Sequence, residues 1–476
     1  MIDEVVFPNA SAESAAGFAQ EQFGYADLGH RSRNRALIRT VERICRHPGG
    51  TLPTKLANPS EYKAMDGLMN RPEVTHASVL ASHQRRTREK MEEHAGPLLI
   101  IHDATHLDYS GLSIPELGQV GNGGGRGYVC HNSLVVDPSN REVLGLIHQI
   151  LHRRPKTCRR EGVKARRERP TRESRLWSTA VTALGPVPAA KRWIDVCDRG
   201  ADLFEFLATE QALGRSCVVR ACHNRVIHLG HDGQGKRKRL FDHLRGLESV
   251  ATKTKKVFDN TEGVARQVTL SVSYAPVQLQ PPHVQKGVYE KKPVSVWCVR
   301  IWEAKPPDAV KPLEWFLVTF EDVRTATQAW TIASNYECRF VVEEYHKAQK
   351  TGCHIEHLQF ETAQALNPMI ALLSVVAVML LNLRQAARRP DAATRPATEV
   401  VDREYEEILR NWRYRDPRGP MSVQEFYMAL GRLGGHMNRK SDGMPGWLVL
   451  WRGWTKLQSM ADGAAAQRRR RQKNAG

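Results

Sequence analysis

Three features of the sequence predict an α/β fold flanked by helical segments. Two short apolar runs, at 98–101 and 193–197, each stop at acidic or basic polar residues, and the second leads straight into a helical pattern from about Asp202. Strands that alternate with helices build a sheet whose carboxyl edge is where such folds carry their sites. Residues 224–320 alternate apolar and polar positions between turn residues, a strand-rich pattern. Apolar residues at helical spacing dominate both ends. At 476 residues the chain is long enough for about three domains, each with a core of its own. The expected boundaries are 1–80, 81–385 and 386–476.

In chain order, the first segment is "DLGHRSRNRALIRTVERICRH". It sets Leu28, Ile38, Val41 and Ile44 among Arg31, Arg33, Arg35, Arg39, Arg43 and Arg46. This is an amphipathic basic helix within a domain of short helices. A solvated face is the plain reading of such a stripe, but six arginines in 16 residues without a matching acidic set favour phosphate contact. In "GPLLIIHDATHLDYS" the apolar run is read as a strand that ends at His102 and Asp103. "GQVGNGGGRGYVCHNSLVVD" lacks the Gly-Lys-Ser/Thr ending of a phosphate loop and leads into alternating residues, so it is read as a hairpin turn. Eleven Lys or Arg follow between Arg153 and Arg175, a density typical of nucleic-acid-facing or disordered chain.

"RWIDVCDRGADLFEFL" puts Asp198 at the end of a second strand, before a helix. The β-rich stretch at 224–320 reads as an insertion. Helix is expected from Ala326 to Lys350 with Gly352 as its stop, followed by a buried apolar helix. "RQAARRPDAATRPATEVVD" reads as a hinge, and beyond it Ser422 and Glu425 form a capping-box pattern. Trp447, Trp451 and Trp454 recur at i, i+4 and i+7, a stripe suited to a core or, in so small an end domain, to a dimer contact. The tail "RRRRQKN" is expected to be disordered.

The balance of 70 Lys+Arg against 51 Asp+Glu, a charge of +19, makes a polyanion the first partner to consider. The most apolar run, 369–381, is 13 residues and closes with Asn382 and Arg384, too short to span a bilayer. The start "MIDEVVFPNA" lacks the basic-then-apolar order of a signal peptide, so a cytoplasmic location is expected. Nine cysteines without a CxxC pair argue against a disulfide framework and a zinc ribbon. Cys217, Cys222 and His223 lie close in sequence but lack two further ligands at ribbon spacing.

The chemistry concentrates in "YECRFVVEEYHKAQK". At roughly 100° per residue, Tyr336, Arg339, Glu343 and Lys350 would fall within an arc of about 60° on a continuous helix, with Glu344 about 100° away. Two strand-end aspartates and a glutamate on a basic helix face are the ingredients of a two-metal phosphoryl-transfer site. Carboxylates suit Mg²⁺ or Mn²⁺, and two such ions about 4 Å apart activate the attacking oxygen and stabilise the leaving one. Arg339 and Lys350 would hold adjacent phosphates.

"DLGHRSRNRAL", "HDATHLDY", "DRGAD" and "YECRFVVEEYHKAQKTG" together resemble the cut-and-paste transposases of the insertion-sequence-four family, of the Tn-five type. The last stretch carries that family's Tyr-x2-Arg-x3-Glu-x6-Lys signature. The resemblance implies an RNase H-like core with a β-rich insertion before the glutamate, and an Asp-Asp-Glu metal triad at Asp103, Asp198 and Glu343. It implies contacts of Tyr336, Arg339, Lys350 and Arg220 with the transposon-end backbone, and a flipped base stacked on Trp315. Among Arg31, Arg33 and Arg35, only Arg33 lines up with the family pattern.

The expected function is that of a DDE transposase bound to double-stranded DNA at the bacterial nucleoid. It would act as a homodimer on paired inverted-repeat ends, cleave through a hairpin intermediate and join 3′ ends to a target. The rival readings are a catalytically silent DNA-binding relative, such as a transposition inhibitor, and a metal-dependent nuclease of the same fold.

Overall fold

Period-two alternation organises the centre of the protein. The computed structural model describes residues 12–474, apart from 57, 156–164, 166–168, 232–234, 260–263, 283–291, 308–311, 415–418 and 440–441. Its strands are β1 (Leu98–Asp108), β2 (Gly118–Gln119), β3 (Arg126–Asp137), β4 (Glu142–His152), β5 (Trp193–Cys197), β6 (Ser216–Arg220), β7 (Val226–Leu229), β8 (Arg237–Arg239), β9 (Ala251–Asp259), β10 (Val264–Leu279), β11 (Val294–Glu303) and β12 (Glu314–Thr319). All twelve belong to one sheet of order β2-β3-β1-β5-β6-β12-β11-β10-β7-β8, with β4 on β3 and β9 on β10. The chain is therefore mixed α/β, as the sequence predicts.

β1 is longer than its apolar run. Antiparallel β3 pairs with it from Leu99 to Asp108, whereas parallel β5 pairs only from Leu98 to His102. The expectation that Asp103 ends a strand is corrected: it lies within β1, carried on by the pairing with β3. It is nonetheless the first residue beyond the parallel ladder, and Asp198 is the first beyond Cys197, the partner of His102. The glycine-rich segment forms the expected hairpin, with the Val120 N–H donating to the Gly125 carbonyl at 2.9 Å. The β-rich stretch continues the sheet itself, since β12 pairs antiparallel with β6.

Side chains alternate across this sheet. One face carries Leu99, Ile101, Leu134, Ile194 and Val196 into a hydrophobic cluster with helical residues from both ends of the chain. The other carries Val129, Cys197, Cys217 and Val219 against α6 (Leu176–Leu184) and α7 (Phe204–Ala212).

The N-terminal helices are α1 (Ala12–Phe23), α2 (Arg31–Arg46), α3 (Leu52–Leu56), α4 (Pro59–Met69) and α5 (His76–Glu93). In α2 the side chains of Leu37, Val41 and Ile44 are buried, while Arg31, Arg35 and Arg39 are exposed. After α8 (Leu240–Arg245), the expected single helix to Lys350 is corrected. α9 (Ala326–Glu337) stops, Cys338 and Arg339 make a turn, α10 (Phe340–Lys347) restarts, and Ala348–Gly352 is a π-helical turn. Gly352 permits the turn to close, because a Cβ there would stand 2.7 Å from Leu380 Cδ1 and 3.2 Å from the Trp447 ring.

α11 (Ala363–Gln385) is long and apolar enough to cross a membrane by length and composition, yet its most apolar 18 residues are 89% buried within the protein. It is the core helix here. α12 (Arg403–Arg413), α13 (Val423–Leu433) and α14 (Trp447–Asn474) complete the chain, with the expected capping box of Ser422 and Glu425 opening α13.

At this end one expectation is corrected, and of the two readings of the tryptophan stripe the structure takes the core. The basic tail is the last turns of α14 rather than disordered chain. The tryptophan stripe is not available to a second subunit: Trp447, Trp451 and Trp454 are 1–3% exposed. Trp447 Nε1 donates to the Leu380 carbonyl of α11 at 2.8 Å, and Gln458 Nε2 donates to the Arg46 carbonyl of α2 at 3.1 Å. Small aromatic end segments bury such stripes on whatever apolar surface adjoins them, and α11 supplies that surface.

Candidate active site

The arrangement starts from strand geometry. Asp103 and Asp198 each follow the last paired residue of neighbouring parallel strands, at their carboxyl edge. Alternation turns Asp103 to the face opposite His102, the face over which α10 packs. Asp198 caps a short 3-10 turn, its Oδ1 accepting the Gly200 N–H at 2.9 Å. Glu343 lies in the first turn of α10 and is exposed.

Arg339, in the turn between α9 and α10, joins Asp103 and Glu343. Its Nη1 donates to Asp103 Oδ2 at 2.8 Å across 236 residues of sequence, and its Nη2 donates to Glu343 Oε1. Asp103 Oδ1 accepts the Ala104 N–H at 2.8 Å. Burial first, and then the Asp198 charge, push the Asp103 carboxyl from 3.8 up to about 6; Glu343 adds to the rise, while Arg339 and the Ala104 N–H oppose it. Two carboxylates thus share one arginine, and Asp198 adds its charge beside Asp103. That crowding is the electrostatic condition a divalent cation relieves, and an all-carboxylate oxygen set matches Mg²⁺ or Mn²⁺.

The other expected residues divide. Tyr336 is buried rather than presented on an open helix face, because α9 ends one residue later and the phenol packs edge-on against Trp315, with ring centroids 5.3 Å apart. The Arg220 guanidinium lies 5.8 Å from the Trp315 ring. Burial lowers the Arg220 pKa, and Tyr336 opposes that shift. Tyr336, Trp315 and Arg220 thus form one partly open aromatic and cationic patch. Lys350 sits on the π-helical turn and pairs with Glu356 at 3.1 Å. The single-arc expectation therefore holds for Arg339 and Glu343 but not for Tyr336 and Lys350, since a turn and a π-turn change the rotation per residue. Glu344 points away as expected, into a buried pair with Arg384.

At α2, Arg33 is engaged within the chain: its Nη1 donates to the Leu28 carbonyl at 2.9 Å and meets Glu73 at 3.0 Å. Arg31 and Arg35 are exposed and line an open hollow at the start of the helix with His30 and Asn34. Within the basic run 153–175, residues 156–164 and 166–168 lie outside the described residues. Arg154 pairs with Glu173, and Arg175 with Glu205.

Sequence reasoning missed one cluster whole and, in another, the third member, Asp202. Asp202, Cys222 and His223 gather their ligand atoms within 4.8 Å. The Asp202 carboxylate, however, accepts the Cys222 and His223 N–H groups at 2.7 and 2.8 Å and faces the Arg225 guanidinium at 2.7 Å, so it works as a clamp between loops. On the sheet face opposite Asp103, His102 Nε2 meets Asp195 Oδ1 at 2.8 Å, His102 Nδ1 meets Ser133 Oγ at 2.9 Å, and Arg215 donates twice to Asp195. Every charged member of that cluster is fully buried. The charged residue Asp195 in the middle of the apolar run "WIDVC" was the one signal in the sequence that pointed to it.

No family model matches the chain.

Proposed function

We propose that the protein is a DDE-type DNA transposase that cleaves transposon ends and transfers their 3′ strands by phosphoryl transfer. The single observation that carries this reading is Arg339 gripping Asp103 and Glu343, which lie on a strand and a helix far apart in sequence, next to Asp198. The strand order β4-β3-β1-β5-β6, with β1 antiparallel to β3 and parallel to β5, supports an RNase H-like core for it.

Asp103, Asp198 and Glu343 would hold Mg²⁺ or Mn²⁺, which supplies a polarised oxygen nucleophile and stabilises the leaving oxygen. Arg339 is then free to turn from the carboxylates to a non-bridging phosphate oxygen, a guanidinium fork suited to that contact. Trp315 offers a partly exposed indole on which an unstacked base would rest, with Arg220 beside it for the neighbouring phosphate. Exposed Arg31, Arg35 and Arg39 on α2 would neutralise phosphates of the end sequence. In a homodimer on paired ends, the contact would use surface other than the buried tryptophan stripe; Trp412 and Met437 are exposed apolar residues of the same region.

The test is incubation of purified protein with Mg²⁺ and DNA that carries the repeats flanking its gene. Cleavage at the repeats with hairpin ends is expected. Asp103→Ala, Asp198→Ala and Glu343→Ala should each lower cleavage by about 1,000-fold or more, a loss of about 4 kcal/mol of transition-state stabilisation, while binding to the ends persists. Cleavage without regard to the repeats would favour a metal-dependent nuclease, and binding with no cleavage a silent relative.

A further inference from the structure

We propose that Asn132 is a positioning residue that holds the strand carrying Asp103 at a set distance from the helix carrying Glu343, acting through His346. The inference rests on the metal-binding role proposed above. In the β1·β3 ladder Asn132 is the direct cross-strand partner of Asp103. Directly opposed residues project from the same face of a sheet, so the Asn132 amide rises beside the Asp103 carboxylate. There its Nδ2 meets His346 Nε2 at 3.2 Å. His346 follows Glu343 by three positions, about one turn of α10, and therefore lies on the same side of that helix. A single hydrogen bond thus ties the two elements whose carboxylates must converge.

The orientation of the amide is not free. Gln149 Nε2 donates to Asn132 Oδ1 at 2.7 Å, which leaves the NH₂ group to face His346 and requires Nε2 of the imidazole to accept. Gln149 is anchored in turn. Its Nε2 reaches Ser374 Oγ of α11 at 3.0 Å, and its Oε1 meets His76 Nε2 at the start of α5 at 2.9 Å. Gln349 of the π-helical turn donates to the same Ser374 hydroxyl at 3.0 Å, and the Tyr345 hydroxyl donates to the Ser374 carbonyl at 3.0 Å. Asn132, Gln149, Gln349 and Ser374 are all buried. A buried polar array in which Asn132, Gln149 and Ser374 are bonded to one another, inside an otherwise apolar face, favours one placement of α10 on the sheet. Apolar packing alone would tolerate sliding of the helix by a fraction of an ångström. Groups that orient metal ligands typically cost 10–100-fold in metal affinity when they are removed.

The experiment measures Mn²⁺ binding to the full-length protein without DNA, from the electron paramagnetic resonance signal of free Mn²⁺. Asn132→Leu and His346→Leu should each raise the Mn²⁺ dissociation constant about 10-fold or more. The double variant should bind no more weakly than either single one, because both remove the same contact. His346→Gln, whose amide oxygen can still accept, should recover affinity to within about 3-fold of the wild type. Leu409→Ala, a buried deletion in α12 remote from the site, should lower the unfolding temperature without changing Mn²⁺ affinity. Wild-type affinity in Asn132→Leu, additive losses in the double variant, or an equal loss in Leu409→Ala would each overturn the proposal. Should Asn132→Leu not fold, His346→Leu at the partly exposed end of the contact decides, and wild-type binding by it overturns the proposal. Asp103→Ala separates the two readings: unchanged Mn²⁺ binding by it overturns the metal role itself, whereas loss in Asp103→Ala with none in Asn132→Leu removes only the positioning role.

Discussion

The central sheet carries a charged cluster on each face, and the two differ in burial and in how an arginine holds the aspartate. Asp195 sits three positions before Asp198 on the same stretch of chain, and His102 directly precedes Asp103. On the α6 and α7 side, Asp195 receives His102 and two guanidinium nitrogens of Arg215, with no exposure at all. On the α10 side, Asp103 has one arginine that it shares with Glu343, and Asp198 stands close enough to push its pKa up. The first cluster is sealed from solvent, and it also holds Glu210 3.9 Å from Arg215, a carboxyl that burial and the Asp195 charge push upward; the second keeps partial access, the condition for binding a cation or a substrate. Residue type does not separate the two. Burial and pairing geometry do.

The largest effect that would break this comparison is expected at Asp195. Asp195→Leu removes the carboxylate that accepts two hydrogen bonds from buried Arg215, leaving only Glu210 at 3.9 Å, and should destabilise the fold by about 3–5 kcal/mol, read from denaturant unfolding. If stability is unchanged while cleavage disappears, Asp195 belongs with the reactive cluster and the contrast fails.

A second, somewhat smaller effect concerns pH. The Asp103 carboxyl is raised from 3.8 to about 6 in the folded protein, so between those values the folded state binds more protons than the unfolded one. Stability should therefore decline as pH rises through that window and stay lower above it. Asp103→Asn should flatten this slope and raise the unfolding temperature at pH 8 while abolishing cleavage, the trade of stability for function expected at a strained charge cluster. A slope of the same size in the variant would mean that Asp103 does not carry the excess charge. Divalent-ion affinity of the wild type should rise as Asp103 deprotonates around pH 6, because the ligand must be ionised.

Glu344 sharpens the contrast within one helix, since it adjoins Glu343 yet pairs in the interior with Arg384. Burial pushes the Glu344 carboxyl up and the Arg384 guanidinium down to about 10, so desolvation takes back much of what the pair gains. Glu344→Gln should cost about 2 kcal/mol of stability by weakening a charge-assisted hydrogen bond, with cleavage near the wild-type rate at a temperature where the variant is folded. A loss of cleavage comparable to that of Glu343→Ala would erase the distinction.

The smallest effect lies at α2, where the same principle acts on arginines. Arg33 is engaged with Leu28 and Glu73, whereas Arg35 is exposed. Arg35→Ala should lower the slope of log affinity against log salt for end DNA by about 1, the signature of one lost phosphate contact. Arg33→Ala should leave that slope unchanged and cost under about 1 kcal/mol of stability, as a surface ion pair does. The reverse assignment would favour the position that lines up with the family pattern.

By itself the sequence determined what short-range patterns can carry. The short apolar runs at 98–101 and 193–197 marked two strands with Asp103 and Asp198 beside them, helical spacing placed Arg339 within reach of Glu343, and the capping box marked the start of α13. These follow from a few neighbouring residues, so no distant partner is needed to read them. Tertiary structure decided whatever depends on who lies opposite. β3 carries β1 past Asp103, and β12 docks on β6, so that the inserted strands lengthen the central sheet. α11 and Gly352 receive Trp447 and turn a possible dimer stripe into core. Asn132 reads in sequence as one polar residue in a strand, and only the ladder register sets it opposite Asp103 with His346 above it. Alternation and periodicity repeat every few residues, but a cross-strand partner or a buried hydrogen bond is chosen among hundreds of positions by packing alone.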